Sequence, residues 1–224
     1  MTTTRRQFHE RLDQLAVQLG EMVNRVDEAM RDATKALFTG DPVLAAAVIE
    51  GHDEVKALQV AVDEVALSLL VREQPVAGDL RTIVACLRMS VDLRRMGKLA
   101  VHVAEIARDR DPATAVPAPL WETARSMSDR ALGLVAEAAR AVATRDSVAA
   151  GLLDHDDDQV DLLQQDLYRA LLAGTSGLAA EVAVELALLG RFYERYADHA
   201  VALGRMIEYQ SPSWRGTYAS GHQR

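Results

Sequence analysis

The chain of 224 residues is long enough for one large or two small domains, and its 49% hydrophobic content supplies a full core. Only 4% of residues are aromatic, which disfavours β-sandwiches and barrels and favours packed helices. The formal net charge of −8 disfavours nucleic acid and anionic membranes as partners, because phosphate binding depends on lysine and arginine. No apolar run reaches about 18 residues, so no membrane-spanning helix is expected.

Three long helices are predicted in the first half. Apolar residues spaced three and four apart from Phe8 to Leu37 predict one amphipathic helix. The segment Gly40-Asp41-Pro42 ends it and begins the second helix, with Asp41 as N-cap and Pro42 as the first helical residue. The second helix breaks at Pro75-Val76-Ala77-Gly78, and a third helix is expected from about Asp79 to Arg110.

The pattern restarts after a proline-containing linker at residues 111–117. Apolar residues from Leu120 to Val142 predict a fourth helix, and a fifth is expected to begin near Asp146. The segment Gly174-Thr175-Ser176-Gly177 predicts a break, after which a sixth helix extends to about Tyr209. Residues 211–224 show no periodicity and are expected to form a disordered tail.

The two halves are related in sequence. At an offset of 105 residues, positions in and before the second helix match positions in and before the fifth without a gap. The matches are Asp41, Val43, Ala45, Asp53, Val55, Leu58 and Gln59 with Asp146, Val148, Ala150, Asp158, Val160, Leu163 and Gln164. At an offset of 100, Arg95, Ala100 and Val101 match Arg195, Ala200 and Val201. We therefore predict an all-α protein of six long helices in two tandem, pseudo-symmetric three-helix bundles, residues 1–111 and 118–210.

Two acidic pairs in the second half are candidate metal ligands. Asp157 and Asp161 on helix five, and Glu194 and Asp198 on helix six, each lie four residues apart on one helix face. The pairs are centred on positions 159 and 196, whose midpoint lies in the predicted turn between the helices, so antiparallel packing brings four carboxylates together. We call these four residues the acidic cluster. Such oxygen ligands favour iron, manganese, magnesium or calcium, with His155 and His199 close enough to assist.

A solvated helix face is the competing interpretation of the acidic cluster. Acidic residues four apart occur by chance in most helical proteins. Glu194 and Asp198 also lie nearly opposite the apolar stripe of helix six, which predicts that they lie at the surface of the bundle. The stripe consists of Leu186, Leu189, Tyr193, Tyr196, Ala200 and Leu203.

The matching positions of the first half carry cationic or potentially cationic side chains. These are His52, Lys56, Arg94 and Lys98, which we call the basic cluster, and they are again centred about the turn at Pro75. Such a cluster cannot hold a metal ion. It could contact an acidic partner surface or an anion, or it could simply pair with Asp53, Glu54 or Asp92, which is the simpler interpretation.

Signatures of catalysis are not found. No histidine has a glutamate three residues before it, as a ferritin-like dimetal oxidase requires, and no Gly-rich phosphate loop or HExxH motif is present. The lone Cys86 cannot form an internal disulfide and is expected to fill the core. We therefore predict that the chain is not an enzyme. The alternatives are a metal-dependent hydrolase or oxidase using the acidic cluster, and a purely structural scaffold.

Two parts of the chain resemble signatures of the PhoU family of phosphate-uptake regulators. Residues 74–81 and 92–100 are similar to its first-repeat signature, and residues 191–200 to its second. The resemblance implies two three-helix bundles with metal ions on acid-xxx-acid motifs. The acidic cluster fits the second motif, whereas the basic cluster departs from the first. A divalent or trivalent ion such as iron, manganese, magnesium or zinc is therefore implied at the second repeat only.

The resemblance also implies a role and a location. Family members act as cytoplasmic adaptors between the ATPase subunit of a phosphate importer and a sensor histidine kinase, and hold phosphate-starvation signalling off when phosphate is plentiful. They often form homodimers. The segment Thr4–Phe8 superficially looks like a twin-arginine export signal, but Glu10, Asp13 and Glu21 follow where an uncharged apolar stretch is required. We therefore expect a cytoplasmic protein.

Overall fold

The computed structural model describes residues 2–72, 75, 77–110, 115–144, 146–173 and 178–210. Nearly all of this lies in six long helices, and the described residues contain no β-strand. The helices are α1 (Thr2–Thr39), α2 (Pro42–Arg72), α3 (Ala77–Asp109), α4 (Ala118–Thr144), α5 (Ser147–Leu172) and α6 (Ala180–Gln210). The prediction of an all-α protein with six long helices is confirmed. The linker residues 111–114, the 174–177 break and the tail at 211–224 lie outside the described residues.

Equivalent caps begin α2 and α5. The α1 helix ends at Gly40, whose φ of 66° is the left-handed conformation that glycine adopts without strain. Asp41 then accepts hydrogen bonds from the backbone nitrogens of residues 43 and 44 at 3.1 and 3.0 Å. Asp146 does the same for residues 148 and 149 at 2.9 and 3.1 Å. Both helix starts therefore follow the local sequence as predicted.

The helices form two bundles of three. In the first, α1, α2 and α3 pack against one another, and in the second, α4, α5 and α6 do so. The bundles are joined along α3 with α6 and along α1 with α4. Most residues of the predicted apolar stripes are buried at these contacts, and Cys86 lies in the same core at 3% exposure. The core is continuous across both bundles, which fixes their relative placement.

Two buried tyrosines fix the rotation of α6. Tyr193 is hydrogen-bonded to Thr34 of α1 through the two hydroxyls at 2.9 Å, and the Tyr196 hydroxyl donates to the carbonyl of Val26 at 3.2 Å. Both tyrosines are buried, at 1% and 0% exposure. Because these rings point toward α1, the opposite side of α6, which carries Glu194 and Asp198, is turned toward α5.

Two glycines allow α5 and α6 to approach closely on either side of the acidic cluster. A Cβ on Gly204 would lie 2.7 Å from Leu153 Cδ1 and 2.9 Å from the carbonyl oxygen of Ala150. A Cβ on Gly190 would lie 2.9 Å from Leu167 Cδ2. Each distance is shorter than normal van der Waals contact. The helices α5 and α6 can therefore approach this closely only because both positions are glycine.

Candidate functional site

The four members of the acidic cluster lie close enough to influence one another. Asp157 and Asp161 come from α5, and Glu194 and Asp198 come from α6. Burial raises the pKa of Asp157 to about 6, and repulsion from Asp198, Asp161 and Glu194 adds to this shift. The structure thus brings together the carboxylates that the antiparallel arrangement of α5 and α6 predicted to converge.

The expectation that Glu194 and Asp198 both lie at the bundle surface is wrong for Glu194. Glu194 is only 8% exposed, whereas Asp198 is exposed. Asp157 is half-buried and Asp161 is exposed. A single apolar stripe identifies one buried face, but α6 packs against α3, α4 and α5 and is therefore covered on more than one side. The cluster forms a partly buried cleft between α5 and α6.

Two oxygens of the cluster are buried without a hydrogen-bond partner. They are Asp157 Oδ1 and Glu194 Oε2. The other Glu194 oxygen, Oε1, accepts a hydrogen bond from Arg191 one turn earlier on α6. Burial also raises the pKa of Glu194, and the charge of Arg191 opposes that shift. A buried unpaired carboxylate oxygen costs free energy, so a ligand able to accept lone pairs from both helices fits this site.

The donor set is suited to a hard metal ion, although it is not arranged as a closed cage. Among the described residues, no group of three or more His, Cys, Asp and Glu side chains is positioned to hold a metal ion. Like-charged carboxylates favour rotamers that spread them apart, so a cation would have to draw them together. The two unpaired buried oxygens and the all-carboxylate composition are the features that fit such an ion.

His199 is engaged elsewhere, contrary to its expected assistance to the acidic cluster. Its Nδ1 lies 3.2 Å from Asp92 Oδ1 of α3, and the two side chains are 13% and 19% exposed. This contact joins the first bundle to the second. The side chain of His155 lies outside the described part of the structure.

The basic cluster is assembled at the corresponding place between α2 and α3. His52 is buried, with 8% of its surface exposed, and Lys56, Arg94 and Lys98 are exposed around it. Burial lowers the pKa of the His52 imidazole, and the charges of Lys56, Lys98 and Arg94 lower it further. His52 is therefore neutral at pH 7, with three cations beside it.

The pairing expected for the basic cluster is found at Asp53 and not at the other two acids. Lys56 Nζ lies 2.8 Å from Asp53 Oδ1. Glu54 pairs instead with Arg25 of α1 at 3.6 Å, and Asp92 lies 3.6 Å from Arg95. Elsewhere in the cluster, Lys98 lies 3.8 Å from Glu105 and Arg94 donates to the neutral Gln59 side chain at 3.3 Å.

Two residues that contact each other in the first repeat, His52 and Gly97, are both different in the second repeat, and the sequence patterns did not predict their contact. A Cβ on Gly97 would lie 3.1 Å from His52 Nδ1, so glycine makes room for the imidazole. At the matching positions of the second repeat, the smaller Asp157 faces α6, and residue 197 is alanine. The offsets of 105 and 100 residues contain this signal, because they align His52 with Asp157 and Gly97 with Ala197.

Each of the two bundles matches a known protein family in sequence. A sequence model of the PhoU domain matches twice, at residues 19–107 and 124–207, once in each bundle. The chain belongs to the PhoU family. Each PhoU match contains one of the two clusters, so the acidic and basic clusters occupy corresponding places in two PhoU domains.

Named PhoU proteins are similar over most of their length. The chain is 40% identical over 204 residues to phosphate-specific transport system accessory protein PhoU homolog 2 of Mycobacterium tuberculosis, covering 91% of this chain and 96% of that protein. The crystal structure of PhoU from Pseudomonas aeruginosa matches with a TM-score of 0.85 and 27% identity, covering 91% of this chain and 98% of that one. The PhoU structure from Streptococcus pneumoniae matches in fold with a TM-score of 0.82 and 20% identity, covering 91% and 96% of the two chains.

The names of these PhoU relatives describe accessory and regulatory proteins and mention no reaction. In the described part of this chain, no helix combines the length and apolar character needed to cross a membrane.

Proposed function

We propose that this chain is a regulatory accessory protein of phosphate uptake. In this proposal it is a cytoplasmic, negative-regulatory adaptor between the ATPase subunit of a phosphate importer and a sensor histidine kinase, and it acts as a homodimer. The observation that carries the proposal is the match of a PhoU domain to each bundle, together with similarity to a named transport accessory protein over 91% of the chain. Two rigid bundles with a shared core offer broad helical faces suited to partner proteins.

Deletion of the gene tests the proposed role. We expect phosphate-starvation genes to be expressed in rich phosphate in the deletion strain and to be repressed again when the gene is restored. Transcript levels of those genes provide the measurement. Normal repression in a strain from which every gene for a PhoU protein has been deleted would contradict the proposal. Capture of the importer ATPase and the kinase from cytoplasmic and membrane fractions by the tagged chain tests the partners separately.

We further propose that the acidic cluster holds a divalent or trivalent metal ion such as iron, manganese, magnesium or zinc. Asp157 and Asp161 would ligate from α5, and Glu194 and Asp198 from α6. The support is the pair of buried oxygens without partners, one on each helix. When bound, such an ion supplies positive charge that offsets the repulsion among four carboxylates. The chain's own residues hold the two helices together at this point through the close contacts at Gly190 and Gly204.

A metal-dependent hydrolase is the second candidate function, and one observation favours it. The Asp157 carboxyl has a pKa of about 6 in a partly buried site, a combination that is common among catalytic groups. Assays of the metal-loaded protein with a generic phosphatase substrate separate the candidates. Turnover that is lost on replacement of Asp157 would favour the hydrolase, and its absence would favour the adaptor.

A further inference from the structure

His52 of the basic cluster combines burial with an unsatisfied polar atom. Its side chain lies against Gly97, and its Nδ1 is buried and has no hydrogen-bond partner. Gly97 belongs to the same turn of α3 as Arg94 and Lys98. The imidazole therefore packs directly against the helical segment that carries two of the three cations. A ligand that reaches this point can satisfy a nitrogen that the protein leaves unpaired.

The cations around His52 are only weakly neutralised. Arg94 donates to Gln59, which carries no charge. Lys56 and Asp53 form an ion pair with side chains 48% and 84% exposed, and Lys98 and Glu105 are 3.8 Å apart with side chains 49% and 39% exposed. Exposed pairs of this kind contribute little to stability because water screens them. A multiply charged anion can therefore displace them at little cost.

The face of His52 directed toward α1 does not suit an anion. There it lines a cavity of about 150 Å³ together with Glu28, Asp32 and Glu54, and Arg25 pairs with two of these three acids. An anion is excluded from that side by charge. The exposed Lys56, Arg94 and Lys98 on α2 and α3 are the groups available to it.

We propose that the basic cluster binds a phosphate group, with Lys56, Arg94 and Lys98 as its charged contacts. Phosphate matches this set because Arg can bind two of its oxygens at once and Lys acts as a point charge. The choice of phosphate among oxyanions rests on the proposed function. The phosphate group is either free inorganic phosphate or part of a phosphorylated partner, and the experiment distinguishes these sources.

The test is calorimetric titration of the full chain after treatment with a chelator, which prevents phosphate from binding through a metal ion. The probes are inorganic phosphate and a short peptide containing phosphoserine, each against the parent and the double variant Arg94→Gln/Lys98→Gln. The matched control is Arg140→Gln/Arg169→Gln, which also removes two cations, from side chains 75% and 71% exposed in the second repeat. Circular dichroism checks that all three proteins are folded.

We expect saturable binding in the parent and the control, and affinity at least about tenfold lower in Arg94→Gln/Lys98→Gln. Binding of inorganic phosphate identifies the free ion as a ligand, and cluster-dependent binding of the peptide alone identifies a phosphorylated partner. Absence of binding for both probes, or equal affinity in all three proteins, overturns the proposal. Because the titration needs neither importer nor kinase, its failure would leave the regulatory proposal standing. Failure of the deletion test would remove the reason for choosing phosphate in advance, but cluster-dependent binding in the titration would still establish the site.

Discussion

The two repeats share an architecture but carry opposite charges at corresponding positions. Both have an aspartate cap before the second helix of the bundle and a cluster between its second and third helices. His52 and Lys56 of α2 correspond to Asp157 and Asp161 of α5, and Arg94 and Lys98 of α3 correspond to Glu194 and Asp198 of α6. The repeats therefore share the arrangement of their helices, whereas the charge of the cleft and the packing within it differ.

Exchange of the basic cluster for acids should have the largest effect. Replacing His52, Lys56 and Lys98 with aspartate, Arg94 with glutamate and Gly97 with alanine copies the second-repeat pattern into the first. We expect metal content per chain to rise to about twice that of the parent, because the new carboxylates supply a second set of hard oxygen ligands. Elemental analysis of the purified protein measures this.

The control for that exchange adds Glu194→Ala and Asp198→Ala to it. Metal content should then return to about the parent level, with the ion held in the first repeat only. A folded exchange variant with no added metal would mean that equivalent placement of four acids does not by itself create a site.

Adding a side chain between α5 and α6 should have the next largest effect. Gly204→Ala places a Cβ 2.9 Å from a backbone carbonyl that cannot move aside, so the helices must separate. We expect a loss of about 2 kcal/mol in the free energy of unfolding, together with weaker metal binding. Chemical denaturation and metal titration provide the two measurements.

Gly133→Ala is the matched control for Gly204→Ala. Gly133 lies in α4, where an added Cβ would meet no atom within 4 Å, so alanine there should stabilise the helix by about 0.5–1 kcal/mol. Equal stability in the two variants would show that the close approach of α5 and α6 does not hold the acidic cluster in place.

Local features of the fold followed from the sequence because short-range chemistry determines them. The caps at Asp41 and Asp146 depend on adjacent backbone nitrogens, and the convergence of the acidic cluster depends on the packing of two consecutive helices against each other. The burial of Glu194 and the contact between His199 and Asp92 could not be predicted in this way. Both arise from packing of α6 against more than one neighbouring helix, which no single-helix pattern contains.

Asp157 should make the stability of the metal-free protein depend on pH. Because its folded pKa is raised to about 6, the folded state holds a proton that the unfolded state has lost above about pH 4. The contribution of Asp157 to stability should therefore fall as pH rises from about 4 to 6. After a discount for the solvent screening of this half-exposed group, Asp157→Asn should raise the free energy of unfolding at pH 8 by about 1–2 kcal/mol relative to the parent. Denaturant unfolding across this pH range, with chelator present, tests the sign.

Glu122→Gln on the exposed surface of α4 is the control for Asp157→Asn, and its pH profile should follow the parent. A stability difference between Asp157→Asn and the metal-free parent that does not grow between pH 4 and 6, or an Asp157→Asn variant that is less stable at pH 8, would count against burial and repulsion at Asp157.

Substitutions at His52 and Gly97, which contact each other, should have the smallest effect, a change in the free energy of unfolding. Gly97→Ala should destabilise the protein by about 1 kcal/mol, because the new Cβ lies 3.1 Å from His52 Nδ1 and 3.3 Å from Val55 Cγ1. In a His52→Asp background the cost should be smaller, giving a coupling of about 0.5–1 kcal/mol. A double-mutant cycle measured by denaturation checks this, and strictly additive effects would show that the two residues differ between the repeats independently.

In this proposal the two repeats differ in their chemistry, with a cation site in the second repeat and none in the first. Its most direct test is metal content together with Mn²⁺ calorimetry of the parent, Glu194→Ala/Asp198→Ala and Arg94→Ala/Lys98→Ala. We predict that the first double variant loses metal binding, with a metal-free stability equal to or above that of the parent, and that the second retains binding. Equal metal content in the parent and Glu194→Ala/Asp198→Ala would contradict the claim and would leave the acidic cluster as a solvated helix face.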